Sequence, residues 1–167
     1  MNWHVYGPWG SFTWNTNSFP VPHDTIAWIH ERGVTVGANM HEAGGISKDE
    51  ATYDQVCKAL GCKHGNDIPF DLYNKSFAMA QEDIAIRALG NVDGRHGLDF
   101  TWIDYQQGET DHIQRTRIPN LNPTVVLNML RFTDPARHGE NRRGMILSRW
   151  GGLGTHRYPL GFSGDQF

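Results

Sequence analysis

Two periodicities take turns along the chain. Apolar residues fall at every second position from Val34 through Val36 and Ala38 to Met40, which places them on one face of a strand. Ahead of that strand, Pro22 near the start and Gly33 just past the end bracket a segment with the asymmetry of helix termini. After it, Ser47 and Glu50 have the spacing of a capping box, and Tyr53, Val56, Cys57 and Leu60 follow at helical intervals as far as Gly61. A further helix is predicted over residues 75–89, with Phe77, Ala80, Ile84 and Ala88 along one side and Gly90 as its stop. Residues 98–104 read as a strand that ends on Asp104. Asn122-Pro123 opens a helix carrying Val126, Met129 and Leu130, and strands are predicted at 145–149 and, more briefly, at 159–164.

Strands that alternate with helices are the pattern of βα units around a parallel sheet, not of a sandwich or a bundle. No repeat, low-complexity tract or linker interrupts the 167 residues, so residues 1–167 are expected to form one domain. A complete (β/α)8 barrel needs about 250 residues, and four to five βα units can be counted here. The expectation is an α/β chain that is a portion of a (β/α)8 barrel, with the remainder of the barrel supplied by the parent protein. On its own such a piece should be poorly stable and inactive, because an open barrel leaves sheet edges and an apolar interior uncovered. An open doubly wound sheet is the alternative, but its first βα turn should carry a G-x-G-x-x-G loop, and none is present.

Composition narrows the partners. A net charge of −3 with dispersed basic residues gives no footprint for nucleic acid or anionic lipid, and no apolar run is long enough to span a membrane. The start of the chain has neither a basic nor an apolar leader segment. Nine histidines are scattered without H-x-H or H-E-x-x-H spacing, so no metal site and no cofactor is predicted. Cys57 and Cys62 lie five apart at a helix end, where a bridge would require the last turn to unwind, and free thiols are expected.

Chemistry concentrates at strand ends. Asp104 terminates an apolar strand and precedes the polar run Tyr105-Gln106-Gln107-Gly108, and Arg149 ends a second strand ahead of Asp165 in a Gly-Phe-Ser-Gly-Asp run. Taken singly, an Asp at a strand terminus is more often a helix cap or turn former, and Asp165 and Arg149 read as a turn Asp and a structural Arg. Together, two carboxylates at the ends of different barrel strands with an arginine between them are what acid/base and nucleophilic work on a glycosidic bond requires.

The segments Phe12-Thr13-Trp14-Asn15 with Phe19-Pro20, Trp102-Ile103-Asp104-Tyr105-Gln106-Gln107-Gly108, and Ser148-Arg149-Trp150 through Gly161-Phe162-Ser163-Gly164-Asp165 resemble glycoside hydrolase family 31, which holds α-glucosidases and α-xylosidases. The resemblance runs through nearly the whole chain. It implies that Asp104 is the nucleophile, that Asp165, sixteen residues beyond the substrate-binding Arg149, is the general acid/base, and that Trp102 lies beside the sugar. Tyr105 and Phe162 would add apolar walls, and His41 would join the substrate-binding set. Two departures stand out. Relatives with this style of motif read M-D-W-H near the start and H-P-A-D-G after the preceding strand, whereas this chain has Asn2 and His41-Glu42-Ala43-Gly44.

The implied reaction is retaining hydrolysis of an α-glycoside or oligosaccharide: Asp104 attacks the anomeric carbon while Asp165, which must start protonated, donates to the leaving oxygen and then serves as base for water. Two other readings stay open. One is a catalytically weak or inactive carbohydrate-binding or regulatory barrel, since fold and function separate easily. The other is a metal-dependent barrel hydrolase, suggested only by the histidine count.

Overall fold

The computed structural model describes residues 10–90, 95–104, 123–134, 143–149 and 154–162. Within them four strands, β1 (Gly37–Met40), β2 (Phe100–Ile103), β3 (Leu147–Ser148) and β4 (Leu160–Gly161), form one parallel sheet in the order β1-β2-β3-β4. The α-helices are α1 (Pro22–His30), α2 (Tyr53–Leu60), α3 (Lys75–Ala80) and α4 (Pro123–Thr133). A parallel sheet whose strands are added in chain order, with helices between them, is a section of a (β/α)8 barrel, as the alternating periodicity predicts.

The strands are shorter than their apolar patterns. β1 begins at Gly37, where a Cβ would lie 2.4 Å from the Phe100 ring, so this glycine lets β2 approach. Ala38 and Met40 are buried as predicted, but Val34 is exposed. Met40 and Ile103 are register partners, and both are in the core. One cluster gathers Ile26, Met40, Val56, Phe77, Ile86 and Leu89 from α1, β1, α2 and the α3 region. A second joins Ile103, Leu127 and Ile146, setting α4 against β2 and the approach to β3.

Four local expectations are corrected. The Ser47–Glu50 capping box does not form: α2 starts later, at Tyr53, and its N-cap Thr52 makes no side-chain cap. The Glu50 carboxylate instead accepts from the Phe12 amide at 2.7 Å and the Thr13 hydroxyl at 2.6 Å, tying residues 11–13 down. The helix predicted over 75–89 begins α-helical, capped by the Asn74 side chain, then becomes a π-helix over Gln81–Ile86 and a short 3-10 turn over Arg87–Leu89. A π turn holds an extra residue, which rotates the inward face, so Ala85, Ile86 and Leu89 are buried and Ala88 is exposed. On α4 the inward face is Thr124, Leu127, Asn128 and Arg131, while Met129 is half exposed. Finally, Cys57 and Cys62 are bridged. Gly61 ends α2 in the left-handed conformation at φ 65°, and the Cys62 amide donates back to the Cys57 carbonyl at 3.0 Å. That turn brings the two Cα atoms to 5.0 Å, within bridging range, after the helix has ended.

Candidate active site

The register of the sheet aligns one row of residues just beyond the strands. Met40 pairs with Ile103, Ile103 with Ser148, and Ser148 with Gly161. The next residue along each strand is therefore His41, Asp104, Arg149 and Phe162. Backbone hydrogen bonds carry the ladder one step further: the Asp104 amide donates to Met40 O at 3.1 Å, the Arg149 amide to Ile103 O at 3.0 Å and the Phe162 amide to Ser148 O at 3.0 Å. Four of the residues singled out from the sequence thus stand side by side at the C-terminal edge of a parallel sheet, the edge where barrel enzymes build their sites.

Asp104 is at the centre of this row and is 6% exposed. Its two carboxylate oxygens have separate donors. Arg149 Nη1 donates to Oδ1 at 2.9 Å, and Asn39 Nδ2 donates to Oδ2 at 2.7 Å. His41 Nε2 stands 3.6 Å from Oδ2. Trp102, two residues before Asp104 and on the same face of β2, packs its ring at 4.9 Å from that of Phe162 with an interplanar angle of 52°. On the N-terminal side of the row an apolar cavity of about 320 Å³ is lined by Trp14, Phe19, Ile26, Val36, Asn39 and Trp102. Trp14 and Phe19 meet edge to face at 5.7 Å. The three motif segments therefore converge on one place. Tyr105 and Asp165 lie outside the described residues.

Asn39 was not singled out by sequence. The signal was available: it alternates with Ala38 and Met40, so the only polar side chain of β1 had to face away from the helices.

The opposite face of the sheet holds a second set of charges that the sequence did not reveal. Arg131 of α4 is 3% exposed and sits among Glu42, Glu82 and Thr101. Its Nη2 donates to Glu82 Oε1 at 2.8 Å, and its Nη1 donates to Thr101 Oγ1 at 3.1 Å and to Glu42 in a short contact. Burial pushes the Glu42 carboxyl above the ordinary carboxylate value, against the lowering pull of Arg131. For Arg131 burial acts to lower, but the charges of Glu42 and Glu82 outweigh it and hold the guanidinium protonated. The two directions have different causes, burial for Glu42 and the paired carboxylate charges for Arg131. Two carboxylates share one cation in a dry site, so the cation stays charged and the surplus negative charge is what burial resists.

Among the described residues no group of three or more His, Cys, Asp or Glu side chains is placed to hold a metal ion. The fold is a section of a (β/α)8 barrel, and the row at its C-terminal edge centres on a carboxylate bound by an arginine and an amide. The model of the glycosyl hydrolases family 31 TIM-barrel domain matches residues 1–167, and the chain belongs to that family. Membership makes it a glycoside hydrolase domain. No curated protein matches the chain.

Proposed function

We propose that the chain carries the catalytic centre of a retaining α-glycosidase, with Asp104 as nucleophile and Asp165 as general acid/base. The observation that supports this most is the grip on Asp104. One donor binds each carboxylate oxygen, from Arg149 on one side and Asn39 on the other. An ionised carboxylate accepts only, and each oxygen keeps a lone pair beyond the one engaged. The group is thereby fixed in orientation and still free to attack, which is how positioning lowers a barrier.

In the first step an Asp104 oxygen forms a bond to the anomeric carbon as the glycosidic bond breaks. The leaving oxygen takes the proton of Asp165. In the second step water adds to the anomeric carbon, gives its proton to Asp165 and releases Asp104 as a carboxylate. Asp165 follows Phe162 by three residues in the chain. Arg149, held against Asp104 by Nη1, is the cation of the row and would make a charge-assisted contact with a sugar hydroxyl. Trp102 and Phe162 offer apolar ring faces for the carbohydrate's CH groups.

The test is hydrolysis of a panel of aryl α-glycosides by the intact protein, with the anomer of the first-released sugar followed by NMR. The reading expects the α-anomer first. A β-anomer would replace retention with inversion, and no turnover on any α-glycoside would withdraw the reading.

A further inference from the structure

Arg131 and Asn128 are three apart on the buried face of α4, and together they reach β2, β3 and the residue that follows His41 beyond β1, the three strands from which His41, Asp104 and Arg149 project. Asn128 Oδ1 accepts from the hydroxyl of Ser148, the residue immediately before Arg149, at 2.5 Å. Arg131 binds Thr101 of β2, three residues before Asp104, and Glu42, the residue immediately after His41. All five of these anchoring residues are buried, none more than 8% exposed. A fourth tie, from Arg131 to Glu82, roots the helix in the π-helix next to it. We propose that α4 is a positioning element for the site: Asn128 and Arg131 set the mutual placement of β1, β2 and β3 from behind, and so set the geometry of the His41–Asp104–Arg149 row in front. This rests on the proposed role of Asp104.

The physical reason lies in what each bond can do. Apolar packing of Leu127 and Ile103 resists separation of helix and sheet but tolerates small slides along the strand direction, because dispersion contacts are weakly directional. A hydrogen bond loses strength steeply with misalignment. Polar anchors at three strands therefore fix the strands along their length, the direction that decides whether Asp104 and Arg149 stay level. Such anchors also cost more when broken in a dry interior than at a surface, so the arrangement has one strongly preferred geometry.

The anchors can be removed without touching the row. Thr101→Val keeps the volume and β-branching of β2 but loses the hydroxyl, and Ser148→Ala frees β3 from Asn128. In the intact protein, each change is expected to lower kcat on an aryl α-glycoside by about tenfold while KM stays within about twofold, because misplacement of the reacting groups is felt mainly in the chemical step. The double variant should lose less than the product of the two single losses, since both act through one helix. Thr101→Ser should restore most of the rate. Tyr53→Phe is the control: it removes a part-buried hydroxyl that bonds Asn66 and Gly65 far from the row, and should lower the melting temperature without moving kcat. If Thr101→Val and Ser148→Ala reduce only stability, or if Tyr53→Phe lowers kcat as much, α4 is ordinary core and the inference is wrong. Hydrogen exchange by mass spectrometry separates this outcome from failure of the glycosidase reading. Each single change should raise exchange at 37–41, 100–104 and 146–149 together, whatever the activity, and a rise confined to the altered strand would overturn the inference.

Discussion

Two carboxylate–arginine pairs stand on opposite faces of the same sheet. Asp104 with Arg149 faces away from the helices, and their side chains keep 9% and 13% of their exposure. Glu42 with Arg131 faces α4, and theirs keep none and 2%. Both pair a carboxylate with a guanidinium, yet their surroundings differ. Asp104 has one donor to each oxygen and stands in a row of strand-end side chains. The Glu42 carboxylate is locked against a cation that also serves Glu82 and Thr101. On the function proposed above, an acid and an arginine react where the fold leaves a path to them; elsewhere such a pair is a fastening.

Substitutions separate the two pairs. The largest effect is expected of Asp104→Asn, which keeps shape but removes the nucleophile. Turnover should fall on the order of a thousandfold or more with the fold intact by circular dichroism, and activity within about tenfold of wild type would place Asp104 among the fastenings. Arg131→Met should do the reverse. It leaves two buried carboxylates without their cation and should cost about 3–5 kcal/mol in denaturant unfolding. A loss under about 1 kcal/mol would mean that the pair is wetter than its burial implies.

Next comes Arg149→Lys, which retains charge but not the planar fork. Asp104 would keep a cation, and the sugar would lose the second direction of hydrogen bonding, so kcat/KM should drop about ten- to a hundredfold. Unchanged efficiency would remove Arg149 from the substrate's reach.

The smallest effect is the pH dependence of Glu42→Gln. A carboxyl raised above its ordinary value of 4.5 gives stability that is fully present below that value and lost as pH rises through the higher folded value. Glutamine carries no such loss. The melting temperature of the variant minus that of wild type should therefore increase as pH rises above the ordinary value of 4.5. A difference that is flat in pH would show that Arg131 compensates Glu42 fully.

How much of this was legible in the sequence follows from the same contrast. Asp104 and Arg149 could be read because each ends an apolar strand and sits in a motif with fixed spacing. Trp102 and Phe162 come with them. Arg131 could not, because an arginine beside Leu130 near the end of a helix ordinarily lies in water, and only the approach of Glu42 and Glu82, eighty-nine and forty-nine residues away, makes its burial tolerable. The inward face of the α3 region was misread for a different reason: helical spacing assumes a constant pitch, and the π turn breaks it after Ala80. Ser47 and Glu50 had the right spacing for a cap, but Glu50 found three donors in residues 11–13 and was drawn away. Sequence patterns register local periodicity well, whereas partners brought from far along the chain leave no periodic trace.

Among the described residues each strand after β1 pairs with the strand that precedes it in the chain. During translation the sheet can thus be extended at a single edge, one βα unit at a time, without a late strand having to wedge between early ones. The site is laid down on the same schedule. Asn39 and His41 emerge first, and Asp104 meets them as soon as β2 docks. Arg149 follows forty-five residues later, and the ring of Phe162 arrives after that. A nascent chain stalled between β2 and β3 would hold its carboxylate with the neutral Asn39 amide but without the arginine, so Asp104 gains its charged partner only once β3 has docked.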